Sequence, residues 1–210
     1  MSSQLKPVAW KLHCLVLLTA LAFPFVFHSS FMVNFGVLAL FYAFIGQSWN
    51  ISGGFAGQLS FGHVAFFGVG AYASTIVQLR FGLSPWWGLP ASALAGAMVG
   101  GIIAVLSFRA GLKGSYFALI TLAFAEVLRI VTNSVSITGG GLGMLIPMKA
   151  GAANFQFAER SGFYFVILVL TAASIAIAEW LRHSRFGAHL AAIRENEDAA
   201  MALGINVFAE

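Results

Sequence analysis

The sequence predicts an all-α fold, a polytopic bundle of helices that cross a membrane several times. Hydrophobic residues make up 60% of the chain and charged residues only 9%, whereas about a quarter of a typical soluble domain is charged. The mean hydropathy is +0.89, and the apolar residues form continuous runs near the roughly 20 residues that a helix needs to cross a bilayer. These runs lack the alternation with a period of two that a membrane β-barrel requires. The surroundings are therefore predicted to be lipid, and the spans are predicted to be helices.

Five apolar runs predict ordinary membrane-spanning helices, and a sixth run is atypical because it is rich in glycine. We expect one transmembrane domain over residues 1–210, with spans at about 10–27, 31–49, 53–79, 87–107, 114–132 and 162–180. Residues 181–207 hold too many charges to enter lipid. We expect them to form a cytoplasmic segment of two short amphipathic helices, with Gly204 as a C-cap.

The distribution of basic residues predicts the orientation. If the N-terminus is cytoplasmic, six crossings return the chain to the cytoplasm after Trp180. The predicted inner side then carries most of the basic side chains, namely Lys6, Lys11, Arg109, Lys113, Arg182, Arg185 and Arg194. The outer side carries Arg80, Lys149 and Arg160, in agreement with the positive-inside rule. Ala20-Leu21-Ala22 resembles a signal-peptide cleavage site, so removal of the first helix is an open alternative.

Several function classes have no support in the sequence. The basic residues flank membrane spans, so the pI near 9.6 reflects topology and does not indicate nucleic-acid binding. The chain has no P-loop motif for ATP, its five histidines are scattered, and Cys14 is its single cysteine. We find no nucleophile with a plausible base and orienting acid. We therefore expect a protein that is not an enzyme and that holds no metal and no cofactor of its own.

The stretch GGFAGQLSFGHVAFFGVGAYAS at 53–74 combines glycines with polar side chains that are unfavourable in lipid. Irregular backbone survives inside a membrane where it lines a cavity or is buried in protein. The stretch therefore contains candidates for a translocation pathway, which are Gly53, Gly54, Gly57, Gln58, Ser60, Gly62 and His63. Close helix packing through Gly53 and Gly57 is the alternative, and it accounts for the glycines but not for the three polar side chains.

Two further features belong to the fourth and fifth spans. Small residues recur every four positions in the fourth span, at Ser92, Gly96, Gly100 and Ala104, which predicts close packing of two helices. In the fifth span Glu126 and Arg129 are three residues apart, so they share a helix face and can pair. This pair either anchors the outer end of the span or contributes to the pathway.

The charged segment after residue 181 contains candidates for contact with a partner. Its helices combine a small apolar face with charged corners, a pattern suited to docking in a groove of another protein. A solvated loop is the alternative, although such a loop has little need of so much alanine, methionine and leucine. The candidate residues are Arg194, Glu195, Asn196, Glu197, Asp198, Ala199, Ala200, Leu203 and Gly204.

Four ordered blocks of the chain resemble the LivM-type permeases, which are inner-membrane subunits of bacterial ABC importers for branched-chain amino acids. The first block is NISGGFAGQLSFGH at 50–63, with GVGAY at 68–72. The second comprises KGSYFA at 113–118 and TLAFAEVLR at 121–129, and the third is TGG at 138–140 with Gly143. The fourth comprises RFG at 185–187, AIRENEDAA at 192–200 and LGI at 203–205.

The resemblance implies a multi-pass permease of the bacterial inner membrane. Its implied partners are a second homologous permease, two cytoplasmic ATPases that bind the ATP, and a periplasmic substrate-binding protein. The segment 181–207 would be the ATPase-coupling loop, and 133–161 would face the binding protein. Permeases of this type usually continue into further membrane helices, so we expect a domain truncated at its C-terminus. Importers of urea or short-chain amides remain an alternative, as does a passive channel or an ion-coupled carrier.

Overall fold

The computed structural model describes residues 5–112 and 114–207, with side chains from residue 16 onward. The side chains of Lys6, Lys11 and Cys14, and the whole of Lys113, therefore lie outside the described residues. Within the described residues the secondary structure is helical, apart from one isolated bridge between Gly151 and Gln156. The predicted all-α fold is confirmed.

Eight α-helices follow one another along the described chain. Their bounds are α1 Leu5–Val26, α2 Ser30–Asn50, α3 His63–Phe81, α4 Pro85–Arg109, α5 Ser115–Ser134, α6 Arg160–His183, α7 Arg185–Glu195 and α8 Glu197–Ala202. A π-helical turn, Ile51–Phe55, continues directly from α2. Short 3₁₀ turns lie in the segment between α5 and α6, at Ser136–Thr138, Gly140–Leu142 and Ala152–Asn154.

Five of these helices are long and apolar enough to cross a membrane. They are α2 with its π-helical turn (26 residues), α3 (19), α4 (25), α5 (20) and α6 (24). The described apolar part of α1, Val16–Val26, is shorter, so the first span stays a prediction. The third span differs from the predicted 53–79, because the α-helix begins only at His63 and the glycine-rich start lies outside it. The fifth and last of the long helices, α6, extends through His183, so residues 181–183 belong to it and not to the coupling segment.

Backbone contacts divide the chain into two compact units, and the single domain over residues 1–210 stays a prediction. The first unit comprises residues 1–48 and 157–183. Its core is formed by Val33, Tyr164 and Leu168. The Tyr164 hydroxyl donates a hydrogen bond of 2.7 Å to the carbonyl of Ala20, which ties α6 to α1. Such a bond satisfies a polar group that lipid could not hydrate.

The second unit comprises residues 49–156 and 184–210 and contains the glycine-rich segment, α3–α5, α7 and α8. Its α3 and α4 form an antiparallel pair in which small residues permit close approach. The hydroxyl of Ser92 donates to the carbonyl of Gly70 at 2.7 Å. A Cβ placed on Gly96 or Gly100 would come within 3.9 or 3.7 Å of Phe66. The predicted role of the small-residue stripe in helix packing is thus confirmed.

Candidate functional site

Residues 51–62 interrupt the helices between α2 and α3, and we call them the glycine-rich break. The π-helical turn ends at Phe55, and two residues later Gly57 has a φ of +69°, which lies in the left-handed region that favours glycine. Gln58 closes this end by donating its backbone N–H to the carbonyl of Ser52 at 3.1 Å. Single π-helical turns are rare and occur frequently at functional sites. The irregular backbone predicted for this stretch is therefore present, and it is concentrated before α3.

The end of the break is held against α5 by Thr121. The hydroxyl oxygen of Thr121 accepts the backbone N–H groups of Phe61 at 3.2 Å and Gly62 at 3.3 Å, and it donates to the carbonyl of Ala118 at 2.7 Å. A Cβ on Gly62 would overlap the carbonyl oxygen of Thr121, so this position requires glycine. The analysis of the sequence missed Thr121 as a site residue. The available signal was a hydroxyl side chain in the apolar run FALITLAFA at 117–125.

The polar side chains of Gln58 and Ser60 in the break and of His63 at the start of α3 are at least partly buried. Ser60 is 5% exposed, and its carbonyl accepts a 3.1 Å hydrogen bond from the indole N–H of Trp49. Buried Gln58 Oε1, Ser60 Oγ and His63 Nδ1 have no hydrogen-bond partner within the described part of the chain. Buried polar groups in native proteins are nearly always hydrogen-bonded to protein or to water. These atoms are therefore chemically suited to bind water or a polar solute.

A cavity of about 610 Å³ brings these polar side chains together with distant parts of the second unit. Gln58, Ser60 and His63 form part of one wall. Mostly apolar side chains of the other elements form the rest, including Ile103, Ala104 and Phe108 of α4, Phe117 of α5, and Leu190, Ile193, Glu197 and Met201 of α7 and α8. A mostly apolar lining with a few convergent polar groups is the usual composition of a small-molecule site.

The predicted pathway residues do not all meet at this cavity. The glycines at 53, 54, 57 and 62 shape the break and are not part of the wall. Glu126 and Arg129 line a second cavity of about 380 Å³ between α3 and α5. Their predicted pairing is confirmed, because Arg129 Nε and Nη2 lie 2.9 and 2.5 Å from the two carboxylate oxygens of Glu126. Of the candidate residues, Gln58, Ser60 and His63 thus line one cavity and the Glu126–Arg129 pair lines another, while the four glycines line neither.

The segment after α6 forms two short helices with capped ends, as predicted. Ser184 caps α7 by accepting the N–H of Gly187 at 3.0 Å. Asn196 ends α7 and begins α8, and its side chain accepts the N–H of Ala199 at 3.0 Å. Gly204 has a φ of +85°, which agrees with its predicted role as a C-cap.

The candidate coupling residues differ in exposure. The side chain of Glu195 is 75% exposed and Leu203 is 81% exposed, and Asp198 and Ala199 are also exposed. Ala200 is only 2% exposed and packs within the unit, while Glu197 faces the larger cavity. The guanidinium of Arg194 donates a 2.6 Å hydrogen bond to the carbonyl of Gly54. A docking partner would therefore meet mainly the exposed members of the set.

Metal chemistry has no support in this geometry. Among the residues that the structure describes, no group of three His, Cys, Asp or Glu side chains could hold a metal ion. The site instead offers an apolar cavity with hydrogen-bonding groups beside a break in a membrane-spanning helix. Such an arrangement can bind and pass a small solute.

Comparisons with known proteins agree with this chemistry. Residues 31–209 match the family model for the permease component of branched-chain amino acid transport systems. The chain is 30% identical to the high-affinity branched-chain amino acid transport system permease protein LivM of Escherichia coli (strain K12), and 29% identical to the protein of the same name from Salmonella typhimurium (strain LT2). Each match covers 91% of this chain and 50% of the relative, so the chain spans about half the length of these curated relatives.

No solved protein structure matches the chain. The family match covers well over half of the residues and gives no reason to expect a cofactor site or enzymatic activity in the chain itself. The five apolar helices make it a multi-pass membrane protein. The chain therefore belongs to the family of permease components of branched-chain amino acid transport systems.

Proposed function

We propose that this chain is the membrane-crossing permease of an ATP-driven importer that moves branched-chain amino acids across a bacterial inner membrane. The observation that carries the proposal is the larger cavity, which is bounded both by the glycine-rich break and by α7 and α8. Membership of the permease family supports the general activity. The names of the relatives from Escherichia coli and Salmonella typhimurium support the substrate class.

The chemistry of the cavity wall suits an amino acid with an apolar side chain. Most of the wall is apolar, and Gln58, Ser60 and His63 add hydrogen-bonding groups on one side. A branched-chain amino acid combines an apolar side chain with a charged, hydrogen-bonding end. Urea and short-chain amides, the alternative substrates, offer little or no apolar surface to such a wall. The composition of the cavity therefore favours the amino acid.

Glu126 and Arg129 are a second candidate part of the pathway. They lie in the membrane-spanning helix α5, and both side chains are more than half exposed in this chain. Ionisable residues inside a membrane almost always face protein or a water-filled cavity, because contact with lipid is unfavourable. We therefore expect the face that carries this pair to be covered by a partner subunit or to border the aqueous pathway.

The expected assembly contains a second homologous permease, two cytoplasmic ATPases that bind ATP, and a periplasmic binding protein. With the N-terminus in the cytoplasm, α7 and α8 lie on the side of the ATPases and residues 133–161 lie on the side of the binding protein. ATP binding would close the ATPases and displace α7 and α8. This displacement can switch access to the cavity only if the segment binds the ATPases differently in the two states.

The test is uptake by the full-length permease reconstituted in lipid vesicles with its partner subunits. We expect accumulation of radiolabelled leucine, isoleucine or valine that requires both ATP and the binding protein. Urea and acetamide should not accumulate. Uptake of urea but not leucine would identify the alternative substrate class, and passage of solute without ATP would identify a channel and contradict the importer.

A further inference from the structure

Arg194 lies in the segment expected to meet the ATPases, yet it binds the glycine-rich break. Its Nη1 donates a 2.6 Å hydrogen bond to the carbonyl oxygen of Gly54, which is 140 residues earlier in the chain. Its aliphatic stem packs on Gly57, where a Cβ would come within 2.5 Å of Arg194 Cγ. The side chain is nevertheless 44% exposed, and Nη2 pairs with Glu195 at 2.8 Å.

The carbonyl that Arg194 binds belongs to a part of the backbone that needs an external donor. Gly54 lies in the last turn of the π-helical segment, which ends at Phe55. The last carbonyls of a helix have no donor within the helix, and arginine side chains commonly supply one. Gly57 adds a surface without a side chain against which the arginine stem can lie. The contact therefore combines the backbone carbonyl of Gly54, the bare backbone of Gly57 and a long donor side chain.

The hydrogen bond between Arg194 and Gly54 joins two parts of the chain with different surroundings. The neighbours of Arg194 on the segment, Glu195 and Asp198, are exposed and available to a partner. The break at the other end contributes Ser52 and Gln58 to the wall of the larger cavity. A displacement of α7 would move Leu190 and Ile193 in the wall directly, and through the side chain of Arg194 it would also reach the part of the wall that the break forms.

We propose that Arg194 is a positioning residue that transmits the movement of α7 to the glycine-rich break, and not a residue that binds the ATPase. This inference rests on the proposed function, because it assigns a step to the coupling of ATP hydrolysis and transport. A residue that binds the ATPase would be needed for assembly and for hydrolysis. A transmitting residue is needed only for the conversion of hydrolysis into uptake.

The test compares Arg194→Met with wild type in the complete reconstituted transporter. Methionine keeps an aliphatic stem and removes the donor to the Gly54 carbonyl. The matched control is Arg109→Met, which changes an exposed arginine at the end of α4, outside the coupling segment. The measured quantities are co-purification of the ATPases, the rate of ATP hydrolysis, and the number of leucine molecules taken up for each ATP hydrolysed.

We expect Arg194→Met to retain the ATPases and to hydrolyse ATP within about twofold of wild type. Uptake for each ATP should fall roughly tenfold, the size of effect expected from losing one charge-assisted hydrogen bond. Arg194→Lys keeps the stem and one donor, so it should recover most of that loss. Arg109→Met should match wild type in all three measurements.

Two results would overturn the inference. Loss of the ATPases in Arg194→Met would make Arg194 an ATPase contact, and an unchanged ratio of uptake to hydrolysis would make it a simple helix cap. If Arg194→Met does not reach the membrane, the same criteria apply to Arg194→Gln, which is too short to reach the Gly54 carbonyl. Absence of ATP-dependent uptake in wild type would instead contradict the proposed function, so the two failures are distinguishable.

Discussion

Replacing Gly62 with alanine should destabilise the second unit, because the break and α5 meet backbone to backbone at this position. An added Cβ would overlap the Thr121 carbonyl oxygen and lie 2.6 Å from its carbonyl carbon. A change of side-chain rotamer cannot relieve this overlap, so the two segments must separate. Separation would stretch the hydrogen bonds of 3.2 and 3.3 Å that Phe61 and Gly62 donate to the Thr121 hydroxyl.

The size of the effect follows from these two contributions. Inserting one carbon into a closely packed site costs about 1–3 kcal/mol. Each weakened hydrogen bond contributes about 1 kcal/mol. The sum of roughly 3–5 kcal/mol corresponds to a fall in Tm of at least about 6 °C for a chain of this size.

The assay is thermal unfolding of the purified, detergent-solubilised protein, followed by the loss of its monodisperse peak in size-exclusion chromatography. Gly68→Ala is the matched control, because it lies in α3 and a Cβ there meets nothing within 4 Å. This control should be unchanged or slightly more stable, since alanine is favoured over glycine in a helix by about 1 kcal/mol. Equal Tm values for Gly62→Ala and Gly68→Ala would refute the reasoning about the contact with Thr121.

Three further predictions follow from the same structure. Thr121→Val removes the acceptor of two backbone N–H groups and should lower the free energy of unfolding by about 1–3 kcal/mol. Thr121→Ser keeps the hydroxyl acceptor, so its Tm in the same thermal assay should stay near that of wild type. Tyr164→Phe removes the 2.7 Å hydrogen bond to the carbonyl of Ala20 and should lower stability by about 1 kcal/mol, and a loss of several times that size would contradict the single-bond account. Asp198→Lys reverses an exposed charge in the coupling segment, so it should leave Tm unchanged while abolishing co-purification of the ATPases. The control Glu159→Lys lies outside the coupling segment and should change neither Tm nor co-purification.

Features that depend on short stretches of sequence were predictable. The apolar runs predicted α2, α4, α5 and α6, because the length of a membrane span is set by the bilayer and not by tertiary contacts. The spacing of Glu126 and Arg129 predicted their pairing, since residues three apart meet on one helix face. The glycine at 204 predicted the end of the last short helix.

Features that depend on contacts between distant segments were not predictable. The start of α3 at His63 follows from the anchoring of the preceding backbone by Thr121, about 60 residues later. Arg194 was grouped with the coupling residues because of its place in the charged segment, and its hydrogen bond to Gly54 depends on how α7 packs. The burial of Ala200 likewise reflects packing that a pattern of alanines cannot specify.

The central claim is that the cavity beside the glycine-rich break is the part of the permease through which the substrate passes. The most direct measurement is the rate at which a small hydrophilic thiol reagent modifies Gln58→Cys in the assembled transporter, with Cys14 and any other cysteine replaced. The account predicts that leucine slows this modification and that ATP changes its rate, while Leu83→Cys, an exposed position that lines neither cavity, responds to neither. A rate at Gln58→Cys that is unaffected by leucine and ATP, or protection at Leu83→Cys instead, would contradict the account.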